Sequence, residues 1–194
     1  YHFSPFAYLI LTACGGGGGG SSSQNLQFGG NIIKGPLSNA TVFVDYDGDG
    51  ILDTGEPSTT TDSNGAFTLT STSSTAQIVA TTDSNTIDTS TGQSLAGVIL
   101  KAPAGSKVVT PATTLIQETG MTSTEVADAL GLTGIDILNF NPFAAGAGAA
   151  TALKVEKVGQ QIIATALSIS TAAESSGASS LNAINKSFGA IADL

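Results

Sequence analysis

Short apolar runs separated by turn signals fill the chain from Phe28 to about Thr110. "NIIKG", "ATVFVDY", "QIVATT", "AGVILKAP" and "KVVTP" are rich in Val, Ile, Thr and Phe, and "DSNGAFTLT" places a Ser-Asn-Gly turn before the alternating run Ala66-Phe67-Thr68-Leu69. Branched residues in brief runs with closely spaced turns predict an antiparallel β-sandwich over 28–110. From Pro111 the period changes. "PATTLIQETG" has Pro at a helix start and Gly120 at its stop. In "TSTEVADALG", Thr122 and Glu125 stand at capping-box spacing, with Val126, Ala129 and Leu130 on one face and Gly131 as a C-cap. After "NPF", the residues Ala152, Val155, Val158, Ile162, Ala166 and Ile169 recur at three- and four-residue spacing, which predicts an amphipathic helix. A short last helix is expected over about 180–192. The predicted fold class is therefore a mainly β N-terminal domain followed by an α-helical segment over 111–194.

The first 27 residues do not belong to that pattern. Phe6–Ala13 is an apolar run too short for the roughly 20 residues of a spanning helix. It ends in small residues before Cys14, as the apolar region and cleavage site of a signal peptide do. Residues 1–13 are expected to be a signal peptide, truncated at its start. Leu11-Thr12-Ala13-Cys14 resembles the bacterial lipobox, which implies lipidation of Cys14 and a membrane partner through that lipid. Gly15–Ser23 reads as a flexible tether, placed within 14–27. Gly after the Cys resembles the outer-membrane sorting pattern, so the expected location is the outer membrane or cell surface.

Composition narrows the chemistry. The chain has 194 residues and a net charge of −9, its six basic residues are all Lys, and aromatic residues make up 6%. Such a surface repels phosphate backbones, which excludes nucleic acid as a partner. The single His, His2, and the single Cys both lie in the first fourteen residues. The 28–194 region thus lacks the side chains that nucleophilic catalysis, zinc binding and general-base work at neutral pH require, and no enzymatic activity is expected.

One stretch departs from this light composition. "DYDGDGILDTGE", Asp45 to Glu56, holds five of the chain's fifteen acidic residues. Counted from Asp45, carboxylates fall at positions 1, 3, 5, 9 and 12: Asp45, Asp47, Asp49, Asp53 and Glu56. Gly50 is at position 6, and Ile51 at position 7 offers its backbone carbonyl. This is the EF-hand ligand pattern, and it predicts Ca2+ as the bound cofactor. Hard oxygens in that number suit calcium, whereas transition metals favour nitrogen or sulfur. No helices flank the loop: "ATVFV" enters as a strand and "EPSTTT" leaves with Pro57 and β-branched residues. A helix-swinging switch is therefore not expected. Asp62 reads as a turn residue, and Asp83 and Asp88 as members of a solvated loop rather than a second site.

Gly35, Ala40-Thr41-Val42-Phe43-Val44-Asp45, Asp49-Gly50, Asp53, Gly55-Glu56-Pro57, Thr61-Asp62 and Asn64-Gly65-Ala66-Phe67 together resemble a bacterial surface-module pattern over residues 32–70. The modules are the carboxypeptidase-regulatory-like domains and the B-type repeats of adhesins, with an immunoglobulin-like or prealbumin-like sandwich. The resemblance implies a calcium-stabilised structural or adhesive module of an exported, lipid-anchored bacterial protein, with a surface protein or glycan as partner. The alternative is a carbohydrate- or peptide-binding module of a larger secreted enzyme, with Phe28, Tyr46, Phe67 and Phe140 as its aromatic candidates.

Overall fold

The structure is a computed structural model; residues 25–175, 186–188 and 190–191 are described. The signal peptide, Cys14 and most of the tether lie outside the described residues. Within them the chain forms ten strands and then helices: β1 (Leu26–Ile32), β2 (Leu37–Ser38), β3 (Thr41–Asp45), β4 (Ser58–Thr60), β5 (Ala66–Ser71), β6 (Gln77–Thr81), β7 (Ile87–Asp88), β8 (Gln93–Ser94), β9 (Ile99–Ala102), β10 (Val108–Val109), α1 (Pro111–Thr119), α2 (Ser123–Ala129) and α3 (Ala149–Ser175). A mainly β part followed by a helical segment is what the sequence pattern predicts. The strand begins earlier than expected, at Leu26, so the last tether residues already pair with β5.

Two sheets supply the core. One has the order β4-β3-β6-β9, the other β10-β1-β5, and a small third sheet is β2-β7-β8. On the antiparallel β3, β6 and β9, register places Val42 opposite Ala80 and Val44 opposite Ile78, then Ile78 opposite Ala102 and Ala80 opposite Leu100. Side chains two residues apart share a face, so these six form one apolar surface. It packs in a common cluster with Ile32, Phe67 and Leu69 of the other sheet. Phe43 and Val79, on the opposite face, are also fully buried. The purely antiparallel expectation needs correction: β10 runs parallel to β1. A turn at Pro103–Ser106, closed by the Ser106 N–H to the Pro103 carbonyl at 3.2 Å, separates β9 from β10. It leads the chain from the edge of one sheet to the edge of the other. Most of the β part separates β1 from β10, so the close antiparallel hairpin geometry does not constrain them.

The same cluster continues past Thr110 into the helices, through Ala112, Leu115, Ile116, Val126, Ile162, Ile163 and Ala166, with Phe188. Of the predicted α3 stripe, Ile162 and Ala166 are buried and Val155 and Val158 pack against the cluster. α1 is fixed by threonines. Thr110 is its N-cap, exchanging bonds with Thr113 in a capping box, and Gly120 ends it in the left-handed conformation. β9 is a sheet edge, whose free N–H and C=O groups need partners. Here the Lys101 N–H donates to Thr114 Oγ1 at 2.9 Å and the Thr113 hydroxyl donates to the Lys101 carbonyl at 2.7 Å. The helix N-terminus therefore closes the edge of β9. α2 has the predicted Thr122–Glu125 capping box, but its C-cap is Leu130 rather than Gly131.

Gly65 and Gly92 both have a φ of +71°, yet they differ in surroundings. A Cβ on Gly65 would sit 2.6 Å from the Ile32 carbonyl oxygen, whereas one on Gly92 would meet open space. Gly92→Ala is expected to cost only the left-handed strain of about 1–2 kcal/mol. Gly65→Ala should cost clearly more, because the backbone of β1 must also move. Urea unfolding of both variants checks this; equal costs would contradict the close approach.

Candidate metal centre

The loop 46–57 joins the antiparallel β3 and β4, closed at its base by the Val44 N–H donating to the Pro57 carbonyl at 3.1 Å. Its flanks are strands, as the sequence predicts. Asp45 ends the central strand β3 and is 1% exposed. A carboxylate so placed must be hydrogen-bonded. Its Oδ1 accepts from the Gly48 N–H at 2.6 Å, and its Oδ2 from the Gly50 N–H at 2.8 Å and from Gln77 Nε2 at 2.8 Å. Curling the backbone back on Asp45 in this way takes Gly48 to φ +86° and Gly50 to φ +78°, which glycine adopts without penalty. Burial alone would raise the Asp45 pKa; the bonds from Gln77, Gly48 and Gly50 outweigh it and hold the carboxyl below its ordinary value.

Beyond Asp45 the loop repeats a local unit. The Asp49 N–H donates to Asp47 Oδ1 at 3.2 Å, and the Ile51 N–H to Asp49 Oδ1 at 2.7 Å. These turns bring one carboxylate oxygen each from Asp45, Asp47 and Asp49 within 4.8 Å of one another. Oxygens on opposite sides of a calcium ion stand roughly 5 Å apart, twice the 2.3–2.6 Å bond length, so the three can hold one metal ion. Asp53 and Glu56 stand outside this trio. Glu56 instead ties the loop ends together, accepting from the Tyr46 N–H at 2.6 Å and the Asp53 N–H at 3.0 Å. Those bonds use two of its roughly four acceptor sites. Ile51, whose carbonyl is the predicted position-7 ligand, is 62% exposed.

The electrostatics match the crowding. Desolvation raises the Asp53 carboxyl above its ordinary value, and the charges of Asp49, Asp47, Glu56 and Asp45 raise it further. A raised acid favours the folded loop while protonated, so that contribution is lost as pH rises through the raised value.

The other acidic residues resolve differently. Asp62 is a turn residue, accepting from the Asn64 and Ala66 N–H groups at 2.8 and 2.9 Å. Asp83 likewise accepts from the Asn85 N–H at 2.8 Å. Asp88 corrects the solvated-loop expectation: its side chain is 1% exposed and bonds Lys34 Nζ at 2.9 Å, with Ser90 Oγ at 2.6 Å. Burial would raise its pKa, but the bonds from Ser90 and Lys34 and the Lys34 charge lower it on balance. Its contribution is therefore present above about pH 4, the unfolded value, and lost as pH falls through the lower folded one. Sequence reading missed Gln77 and Lys101 at the acidic loop. Gln77 is opposite Asp45 across β3 and β6, a pairing visible once the register is known. A Cβ on Gly50 would lie 3.5 Å from Lys101 Cε. Of the aromatic candidates, Phe67 is core, Phe28 packs against the core, Tyr46 lies in the loop, bonded to Ser71 at 3.1 Å, and Phe140 lines a separate cavity with Ile135 and Asn139.

Comparison with protein families, with curated proteins and with solved structures found no match.

Two outcomes follow from these charges. Asp53, titrated by NMR without divalent ions, should have a pKa raised from the ordinary aspartate value, and it should fall when a divalent cation is added; no movement would contradict a bound cation. Lys34→Met should destabilise by about 3 kcal/mol, because Asp88 stays buried without its countercharge; a neutral effect in denaturant unfolding would contradict the ion pair's role.

Proposed function

We propose that this protein is a calcium-stabilised structural module of an exported, lipid-anchored surface protein. The observation that carries the reading is the Asp45, Asp47 and Asp49 trio, with ligand oxygens within 4.8 Å of one another. Calcium is favoured because the donors are all carboxylate or carbonyl oxygens in the EF-hand order, on an irregular loop that calcium tolerates and magnesium does not. Ile51, Asp53 and Glu56 complete the ligand set through a carbonyl, a water-mediated carboxylate and a remaining carboxylate face. The strands on either side hold the loop in place, so the ion stabilises a fixed structure rather than moving helices. Two sheets sharing one core support an immunoglobulin-like or prealbumin-like reading of the β part, and the parallel β1–β10 pair is its point of departure. The export and anchoring parts of the proposal rest on the 1–23 sequence with Cys14.

Calcium that binds the folded loop and not the unfolded chain stabilises by RT ln(1 + [Ca]/Kd), about 2.7 kcal/mol at 100 times Kd. Extracellular calcium modules have Kd values of about 10⁻⁴ to 10⁻³ M. For a chain of this length, the gain corresponds to a rise of roughly 5–10 °C in Tm. Calorimetric titration with melting curves in calcium and in chelator tests this. Asp47→Asn and Asp49→Asn should weaken calcium binding and leave the calcium-free Tm nearly unchanged, since both residues are exposed and make only local bonds. Asp45→Ala should lower both, because Asp45 also satisfies buried donors. Equal melting temperatures with and without calcium, in wild type and variants alike, would overturn the proposal.

A further inference from the structure

The buried ligand Asp45 is tied to the helical segment through two glutamines. Gln77 lies directly opposite Asp45 on β6 and donates its Nε2 to Asp45 Oδ2 at 2.8 Å. Gln117, in the last turn of α1, donates its Nε2 to Gln77 Oε1 at 2.7 Å. An amide has one accepting and one donating end. With its oxygen occupied by Gln117, the Gln77 amide can present only its N–H group to the carboxylate. The glutamine from α1 thereby fixes the orientation of the group that orients the ligand. A second tie runs beside the first. Glu118, the next residue of α1, pairs with Lys101 Nζ at 2.9 Å, and the Lys101 side chain lies against Gly50 at the turn of the loop. Both ties converge on the last turn of one helix, whose first turn closes the edge of β9.

We infer that Gln77 and Gln117 are positioning residues of the cation site, and that cation binding and docking of α1 are coupled through the Asp45–Gln77–Gln117 chain. The inference rests on the cation site proposed above. Partners one bond removed from a metal fix the orientation of its ligand, and their loss typically lowers metal affinity about 10- to 100-fold. Coupling is reciprocal: if the docked helix raises the affinity of the loop, cation binding strengthens the docking of the helix by the same factor. The α1 segment carries the chain from the β part to α2 and α3, so occupancy of a loop in the sheet would be felt in the helices.

The test uses the whole chain, with calcium as the probe. Calcium affinity is measured by calorimetry for wild type, Gln77→Met and Gln117→Met, and amide hydrogen exchange of residues 114–119 is followed in calcium and in chelator. Methionine keeps the length of the side chain but neither donates to nor orients a carboxylate. Gln117 is half-buried in a terminal turn, so its variant is expected to fold, which a calcium-free melting curve checks. The expected result is about a 10-fold loss of affinity for Gln77→Met and a smaller loss for Gln117→Met. Calcium should slow α1 exchange in wild type and not in Gln77→Met. A purely structural contact would lower stability equally in calcium and chelator and leave affinity unchanged; that result, with wild type binding calcium, would overturn the coupling alone. Failure of wild type to bind calcium would overturn the cation site, and the coupling with it.

Discussion

A carboxylate at the end of the central strand β3, almost wholly withdrawn from water, constrains everything around it. Asp45 is set by register opposite Gln77 of β6, one residue past the loop-closing bond between Val44 and Pro57. Its charge must therefore be met by donors brought to it. Two come from a backbone forced through left-handed glycines, and one comes from a glutamine on the facing strand. The tight curl that supplies the backbone donors also sets Asp47 and Asp49 beside Asp45. The burial of one side chain thus makes both the shape of the loop and its concentration of negative charge.

The rest of the fold serves to hold that strand still. Val42 and Val44 face the common core, while Phe43 is buried on the other side. β9 would be an open edge two strands away, but the hydroxyls of Thr113 and Thr114 occupy its free backbone groups. The helix that begins there ends beside Gln77. Sheet, loop and helix are consequently parts of one packed unit, although their sequence patterns change sharply at Pro111.

Much of this could be read before the structure. The branched runs around Val42 and Ile78 give strands because their residues fit a pleated buried surface, and the capping residues Thr122 and Glu125 place a helix start that local hydrogen bonding alone decides. Carboxylate spacing brings out Asp45, Asp47 and Asp49 because their convergence depends on a local turn. What stayed hidden depends on distant pairing. The parallel β1–β10 contact joins residues about eighty apart. Asp88 looked like a member of a polar loop, since nothing near it in sequence announces Lys34 as its partner. Gln77 and Gln117 are ordinary polar residues until the register sets them in line with Asp45. Two-residue strands such as β7 and β8 carry too few positions to show alternation.

In the proposed function the acidic loop is built around one cation. An anomalous difference map from crystals grown in calcium tests it most directly. A single peak is expected, bonded at about 2.3–2.6 Å to carboxylate oxygens of Asp45, Asp47 and Asp49, with Gln77 still bonded to Asp45. A loop without a peak at saturating calcium, its carboxylates bonded only to backbone N–H groups and water, would contradict it.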